Sequence, residues 1–219
     1  MLIRILLIVL VVAVAALFVL GSGDPASRGG LVALVALAIS LVSAFKGTIF
    51  PFRPKFLIDE VVLAAADSPR QDSPALIVPL LIVNEGAGSG LVSGLALKVE
   101  GNGVVRMYTP IAEIDFGRFL SDRRKLHADN TISTFGPVPL QGESTARRHF
   151  VFIQEPSSER YPFAGWTPGK FTFRLFAKFS LSTNPREVAA VSHEITSALL
   201  ASYVQGQSTS MSSSKEIDV

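Results

Sequence analysis

Residues 2–20 are nineteen consecutive positions in which Arg4 carries the only charge. As a helix rising 1.5 Å per residue, such a run is about 28 Å long, close to the ~30 Å hydrocarbon core of a bilayer. No small soluble core hides a segment that is apolar on every face, so part of the chain is expected in a membrane. The next ten residues, Gly21-Ser22-Gly23-Asp24-Pro25-Ala26-Ser27-Arg28-Gly29-Gly30, are dense in Gly, Pro and Ser and are expected as an exposed turn. The apolar pattern resumes at Leu31 and meets no charge before Lys46, whose aliphatic stem can snorkel and let the span reach Phe50. The expectation is a two-helix transmembrane hairpin over residues 1–52, with helices at 2–20 and 31–50.

Positive charge near the ends of the spans sets the orientation. Arg4 precedes the first span and Lys46, Arg53 and Lys55 follow the second, whereas the connecting turn holds Arg28 beside Asp24. Both outer flanks therefore favour the cytoplasm, which predicts an integral protein of a bacterial inner membrane with a cytoplasmic C-terminal domain. The competing expectation takes residues 1–23 as a cleaved signal peptide, which leaves one anchor and puts the domain on the periplasmic or extracellular side.

Composition narrows the rest. An apolar share of 48% with mean hydropathy +0.42 exceeds that of an ordinary soluble chain, and a charged share of 17% argues against a nucleic-acid binder and against wholesale disorder. Without cysteine there are no disulfides, thiol nucleophiles, iron–sulfur clusters or Cys-type zinc sites. From Arg53 onward 17 basic residues face 17 acidic ones, so no net field steers the exposed part toward a charged partner.

That part reads as a β domain over residues 53–204, followed by a Ser-rich, disordered tail over 205–219. Short apolar runs closed by Gly, Pro, Asn or Asp recur at 56–65, 76–83, 91–99, 104–108, 146–154 and 170–181, and 187–197 fits either a strand or a helix. The clearest is 170–181: Phe171, Phe173, Leu175, Ala177 and Phe179 share one parity, and Lys170, Thr172, Arg174 and Lys178 the other. Pro79 inside 76–83 predicts an edge strand or a bulge, Gly101-Asn102-Gly103 a tight turn, and 116–126 a short helix or loop.

Val83-Asn84-Glu85-Gly86 followed by a Gly-rich link and a strand from Leu91 resembles the strand-turn-strand of immunoglobulin-like sandwich modules in prokaryotic surface and envelope proteins. Leu140-Gln141-Gly142-Glu143-Ser144 before Arg147 to Phe152 resembles their later Gly-containing turn and strand. The resemblance implies a mainly β fold, an immunoglobulin-like antiparallel β-sandwich, and brings no catalytic residue. The Cys-Trp-Cys core of antibody domains is absent.

Catalytic patterns are lacking. Gly86-Ala87-Gly88-Ser89-Gly90 has no following Lys-Ser/Thr and leads into a strand, so it is a hairpin link. His127, His149 and His193 have no ligand-like spacing, no Ser stands in a nucleophile elbow, and no metal or cofactor is expected. Glu113 and Asp115 would share one strand face, where solvation is their ordinary role. Arg123, Arg124, Lys125, Arg147 and Arg148 are candidates for contact with anionic lipid headgroups. Tyr161, Phe163 and Trp166 form an aromatic loop and are the candidate binding residues. The C-terminal Ile217-Asp218-Val219 fits a carboxyl terminus that adds to a partner's sheet.

The function expected is therefore that of a non-enzymatic, membrane-anchored interaction or scaffold protein. It would present its β domain to a protein partner, with the lipid bilayer as its other partner and no nucleic acid. The alternative is an exported module binding a small molecule or glycan. A concave aromatic pocket at Trp166 would favour the second, and a flat apolar patch or open sheet edge the first.

Overall fold

The computed structural model describes residues 9, 13, 16, 25–66, 74–122, 125–155, 166–180, 182 and 184–212. The chain divides into two compact units: Met1–Arg53 with Asn84–Ser89 and Gln141–Glu143, and Pro54–Val83 with Gly90–Leu140 and Ser144–Val219.

In the first unit a helix, α1 (Pro25–Ala44), leads through Phe45 into one helical turn, α2 (Lys46–Ile49). Here the structure corrects the sequence. Residues 25–30, expected as turn, begin the helix, because Pro in a first turn sacrifices only an N–H that has no helical partner, and Gly29-Gly30 cost about 1 kcal/mol each without forbidding helix. The first expected span lies outside the described residues except at Val9, Ala13 and Ala16, which are helical. Among the described residues no helix is long and apolar enough to cross a membrane, so the hairpin is not found there.

The second unit is mainly β and antiparallel. Its strands are β1 (Pro54–Ile58), β2 (Glu60–Ala66), β3 (Ala75–Asn84), β4 (Gly90–Gly101), β5 (Val104–Ile114), β6 (Lys125–Leu126), β7 (Thr131–Thr134), β8 (Val138–Leu140), β9 (Thr145–Gln154), β10 (Gly169–Phe179), β11 (Arg186–Ile195) and β12 (Thr209–Ser212). The main path of the sheet runs β11-β10-β4-β5-β9-β3-β2-β12, β1 also pairs with β3, and the short β2–β6 pair is parallel. Register shifts in β5 and β10 bend the long strands, and β1 and β12 come round to lie against β11, so the sheet is rolled almost into a barrel.

Alternation explains the core. Phe171, Phe173, Leu175 and Ala177 of β10 are fully buried, as are Leu97 and Val99 of β4, while Arg174 on the opposite face joins Glu100 at 2.9 Å and Glu187 at 3.0 Å. Asn102 (φ 52°) and Gly103 (φ 75°) both take the left-handed conformation that a two-residue β4–β5 hairpin of type I′ requires. Residues 116–121 form a helix, α3 (Phe116–Ser121), capped by Asp115, whose carboxylate accepts the N–H groups of Gly117 and Arg118. A last helix, α4 (Ser197–Val204), is capped by Thr196.

Two further expectations are corrected. Pro79 lies in an inner strand, since β3 pairs with β9 over Leu76 to Val83 on one side and with β2 and β1 on the other. The tail expected from residue 205 instead forms β12, which pairs with β2 and buries Met211; residues 213–219 lie outside the described chain.

Candidate functional site

In the β unit, inward parity carries not only apolar residues but also Arg106 and Tyr108 of β5, Gln154 of β9 and His193 of β11, all at most 7% exposed. These side chains gather at one end of the sheet. Tyr108 is opposite Gln154, Arg106 is two residues before Tyr108 on the same face, and Val99 pairs with both Arg106 and Phe173.

Trp166 completes the group. Its ring stacks on Phe171 at 5.0 Å and on Phe173 at 6.3 Å, and the Arg106 guanidinium sits 5.1 Å from its centroid and 5.7 Å from that of Phe171. The cation thus lies against two quadrupoles instead of water. Burial draws the Arg106 pKa down, and the Tyr108 phenol acts in the opposite sense. The ring of His193 is 5.6 Å from Phe173.

Position is set by the adjoining turn: Asn102 Nδ2 donates to Thr167 Oγ1 at 2.6 Å and to the carbonyl of Pro168 at 3.1 Å, holding the chain just after Trp166. Two polar side chains in the group make no hydrogen bond: the Gln154 carboxamide through either atom, and Trp166 through Nε1. Trp166 is partly exposed, so the group reaches solvent at that ring. The arrangement offers a fixed positive charge, N–H donors and aromatic walls.

The other residues singled out from the sequence are dispersed. Tyr161, Phe163, Arg123 and Arg124 lie outside the described residues. Lys125 and Arg147 are exposed, whereas Arg148 pairs with Glu113 at 2.7 Å. Asp115 is spent on capping α3, so Glu113 and Asp115 do not act as a carboxylate pair. His149 stacks on Phe116 at 4.6 Å, and His127 lines an open hollow with Ser121, Asp122, Lys125 and Asp129. Among the described residues no group of three His, Asp or Glu side chains could hold a metal ion.

Arg106, Tyr108, Gln154 and His193 were missed in the sequence. Parity was the available signal for two of them: Gln154 continues the Phe150, Phe152 series and His193 stands between Val191 and Ile195. A polar residue in a core series is the informative exception.

In the first unit a collar forms around the end of α2. Asn84 is 1% exposed and uses its whole carboxamide: Oδ1 accepts the N–H groups of Arg53 (3.0 Å) and Gly86 (3.1 Å), and Nδ2 donates to the carbonyls of Gly88 (2.8 Å) and Gln141 (2.7 Å). The Gly88 N–H donates to the Phe50 carbonyl, and Lys46 pairs with Glu143 at 2.7 Å.

No family model and no curated protein matches the chain. Among solved structures it is similar to a protein from Archaeoglobus fulgidus (12% identity, TM-score 0.34, 66% of this chain and 95% of the other). It is also similar to a FixG-related protein from Vibrio parahaemolyticus (8% identity, TM-score 0.31, 65% of this chain and 94% of the other).

Proposed function

We propose that the protein is a non-enzymatic membrane-anchored module whose N-terminal helical segments hold it in the bilayer while its β unit serves as an interaction domain. The observation that carries this reading is the outward face of α1. Val32, Leu37 and Ile39 are 66%, 51% and 61% exposed, Val35, Val42 and Phe45 are exposed too, and no charge occurs between Arg28 and Lys46. Large apolar side chains left exposed along a helix are stable in lipid and costly in water. The apolar run at 2–20 supports the same anchor, and the positive outer flanks support a cytoplasmic β unit. For the β unit the finer reading is the immunoglobulin-like sandwich, supported by its two sequence motifs falling on β3–β4 and β8–β9.

Protease accessibility tests this reading, with a tag after Val219. Full-length protein that resists alkaline extraction, is protected in sealed cells and is cleaved in inverted vesicles is the expected result. Release by alkali removes the anchor, and cleavage from outside reverses the orientation.

A second reading, a module that binds a small molecule, is favoured by the buried polar group at Trp166. Its Gln154 carboxamide is desolvated without a hydrogen bond, an arrangement that costs stability and is found where a site awaits a polar guest.

A further inference from the structure

We propose that the collar around α2 is itself a lipid-contacting surface, seated in the headgroup layer of the bilayer through apolar and uncharged contacts, an inference that rests on the first reading above. Under that reading Lys46 is the first charge after Arg28, so the hydrocarbon ends beside Phe45. The link 84–89 and the turn 141–143 belong to the same compact unit as α1 and close on the chain just after that point. The Gly88 N–H donates to the Phe50 carbonyl at 2.9 Å, and a Cβ on Gly47 would stand 3.5 Å from the Gly88 Cα. A lipid layer that reaches Phe50 therefore reaches the link as well.

Three properties of the collar suit that layer. Its backbone turns inward: the N–H groups of Glu85, Gly86, Gly88 and Glu143 and the carbonyls of Phe50, Arg53, Gly86, Gly88 and Gln141 are all bonded within it. Non-helical backbone needs such internal partners where water is scarce, whereas a link standing in water can use the solvent. Its charges cancel in pairs, Lys46 with Glu143 at 2.7 Å and Arg53 with Glu85 at 4.0 Å, so its seating needs no anionic lipid. Its outer surface is apolar: Phe45 and Phe50 are 42% and 53% exposed, and between Glu85 and Ser89 the link holds only Gly86, Ala87 and Gly88.

The chain has no cysteine, so one introduced thiol carries an environment-sensitive nitrobenzoxadiazole label at a single place. Ser89→Cys and Phe50→Cys, both at exposed positions, put it on the collar, and Phe45→Cys puts it at the end of the helix. The full-length proteins are reconstituted in phosphatidylcholine vesicles with iodide on both sides, or with phosphatidylcholine bearing a nitroxide near the head or near the tip of an acyl chain. At Ser89 and Phe50 the expected result is emission shifted to the blue, loss of the iodide quenching shown by the same label on glutathione, and stronger quenching by the shallow nitroxide than by the deep one. Phosphatidylglycerol added to the vesicles should change none of these. Collar labels that iodide quenches as fully as the glutathione label, with neither nitroxide acting, overturn the proposal. Shielding from iodide and from both nitroxides also overturns it, since protein and not lipid would then cover the collar, and so does lipid quenching that appears only with phosphatidylglycerol. Alkaline extraction of the same vesicles reads the anchor separately: release removes the first reading, whereas a retained protein with water-exposed collar labels removes this inference alone.

Discussion

Asn84 holds Arg53 by a single hydrogen bond, Oδ1 to the backbone N–H at 3.0 Å, and the same carboxamide reaches Gly86, Gly88 and Gln141. One side chain therefore ties together three separate stretches of chain, 50–53, 84–88 and 141–143. Because Asn84 is buried, truncating it strands two N–H donors and two carbonyls at once. Asn84→Ala should cost about 3 kcal/mol. Hydrogen exchange checks the location of the loss, since the amides of Arg53 and Gly86 should lose protection while those of β10 keep theirs. Asn84→Asp should be worse than its size suggests, because a carboxylate would face the carbonyls of Gly88 and Gln141.

The glycines of this collar are predicted to be far less replaceable than Gly103 of the β4–β5 turn. A Cβ on Gly86 would stand 1.8 Å from the Pro51 carbonyl oxygen, and one on Gly142 would stand 2.0 Å from that of Ala87. Neither obstacle is a flexible side chain, so the backbone must move. Gly86→Ala should destabilise by about 3 kcal/mol or more, in the range of severe overpacking. Gly103→Ala meets no atom within 4 Å and suffers only from φ +75°, for which about 1 kcal/mol is expected. Denaturant midpoints of the two variants should differ in that order.

Removing β12 should damage the fold although a Ser-rich segment looks dispensable. Met211 is 3% exposed and pairs with Val61, itself fully buried. Met211→Ala should cost about 2–4 kcal/mol, as for other buried large-to-small changes. Truncation before Ser208 should expose the edge of β2 and promote aggregation, measurable by light scattering.

How much of this was legible follows from such cases. The long strands β4 and β10 announce themselves because alternation over ten or more residues is a strong local signal, β3 and β9 because an apolar run is closed by turn residues, and Asn102-Gly103 because φ > 0 at two successive positions demands those residues. Thr209–Ser212 gave no such signal: four residues of which only Met211 is apolar acquire their structure from the waiting edge of β2, a non-local cause. The rolled sheet was hidden for the same reason, since strand order is decided by pairing between distant segments. Arg106 was invisible because Val104, Val105, Met107 and Tyr108 put apolar residues on both parities of β5. Trp166 was visible as an aromatic on a loop, but its partners were not.

The link between Asn102 and Thr167 should govern how Trp166 is held. Asn102→Ala loses the hydrogen bonds to Thr167 and Pro168 and places a β-carbon-bearing residue without a compensating side chain at φ 52°. A loss of about 1–2 kcal/mol is expected. The more telling readout is spectroscopic: emission of the lone tryptophan should shift to the red as its ring gains water. Asn102→Gly relieves the backbone but not the hydrogen bonds, so it should recover part of the stability and none of the spectral position.

Acid sensitivity should trace in part to His149. Burial, and then the neighbouring Arg147, lower its pKa, while Glu113, Asp115 and Glu60 oppose them. The folded protein therefore binds this proton less readily than the unfolded chain, whose histidine titrates near ~6.5. Stability from His149 is fully present above that value, falls as the pH drops toward the folded pKa and levels off below it. Glu100 acts in a lower window: its hydrogen bond to Lys98, helped by Arg174, holds its carboxyl below the usual range, so its contribution is present above that range and lost only as pH falls through the folded value. His149→Phe keeps a ring to stack on Phe116 and removes the proton site. Melting temperatures should therefore converge between variant and parent near neutrality and separate as the pH falls below about 6.5, with the variant falling less. Equal slopes for the two proteins over that fall would refute the assignment.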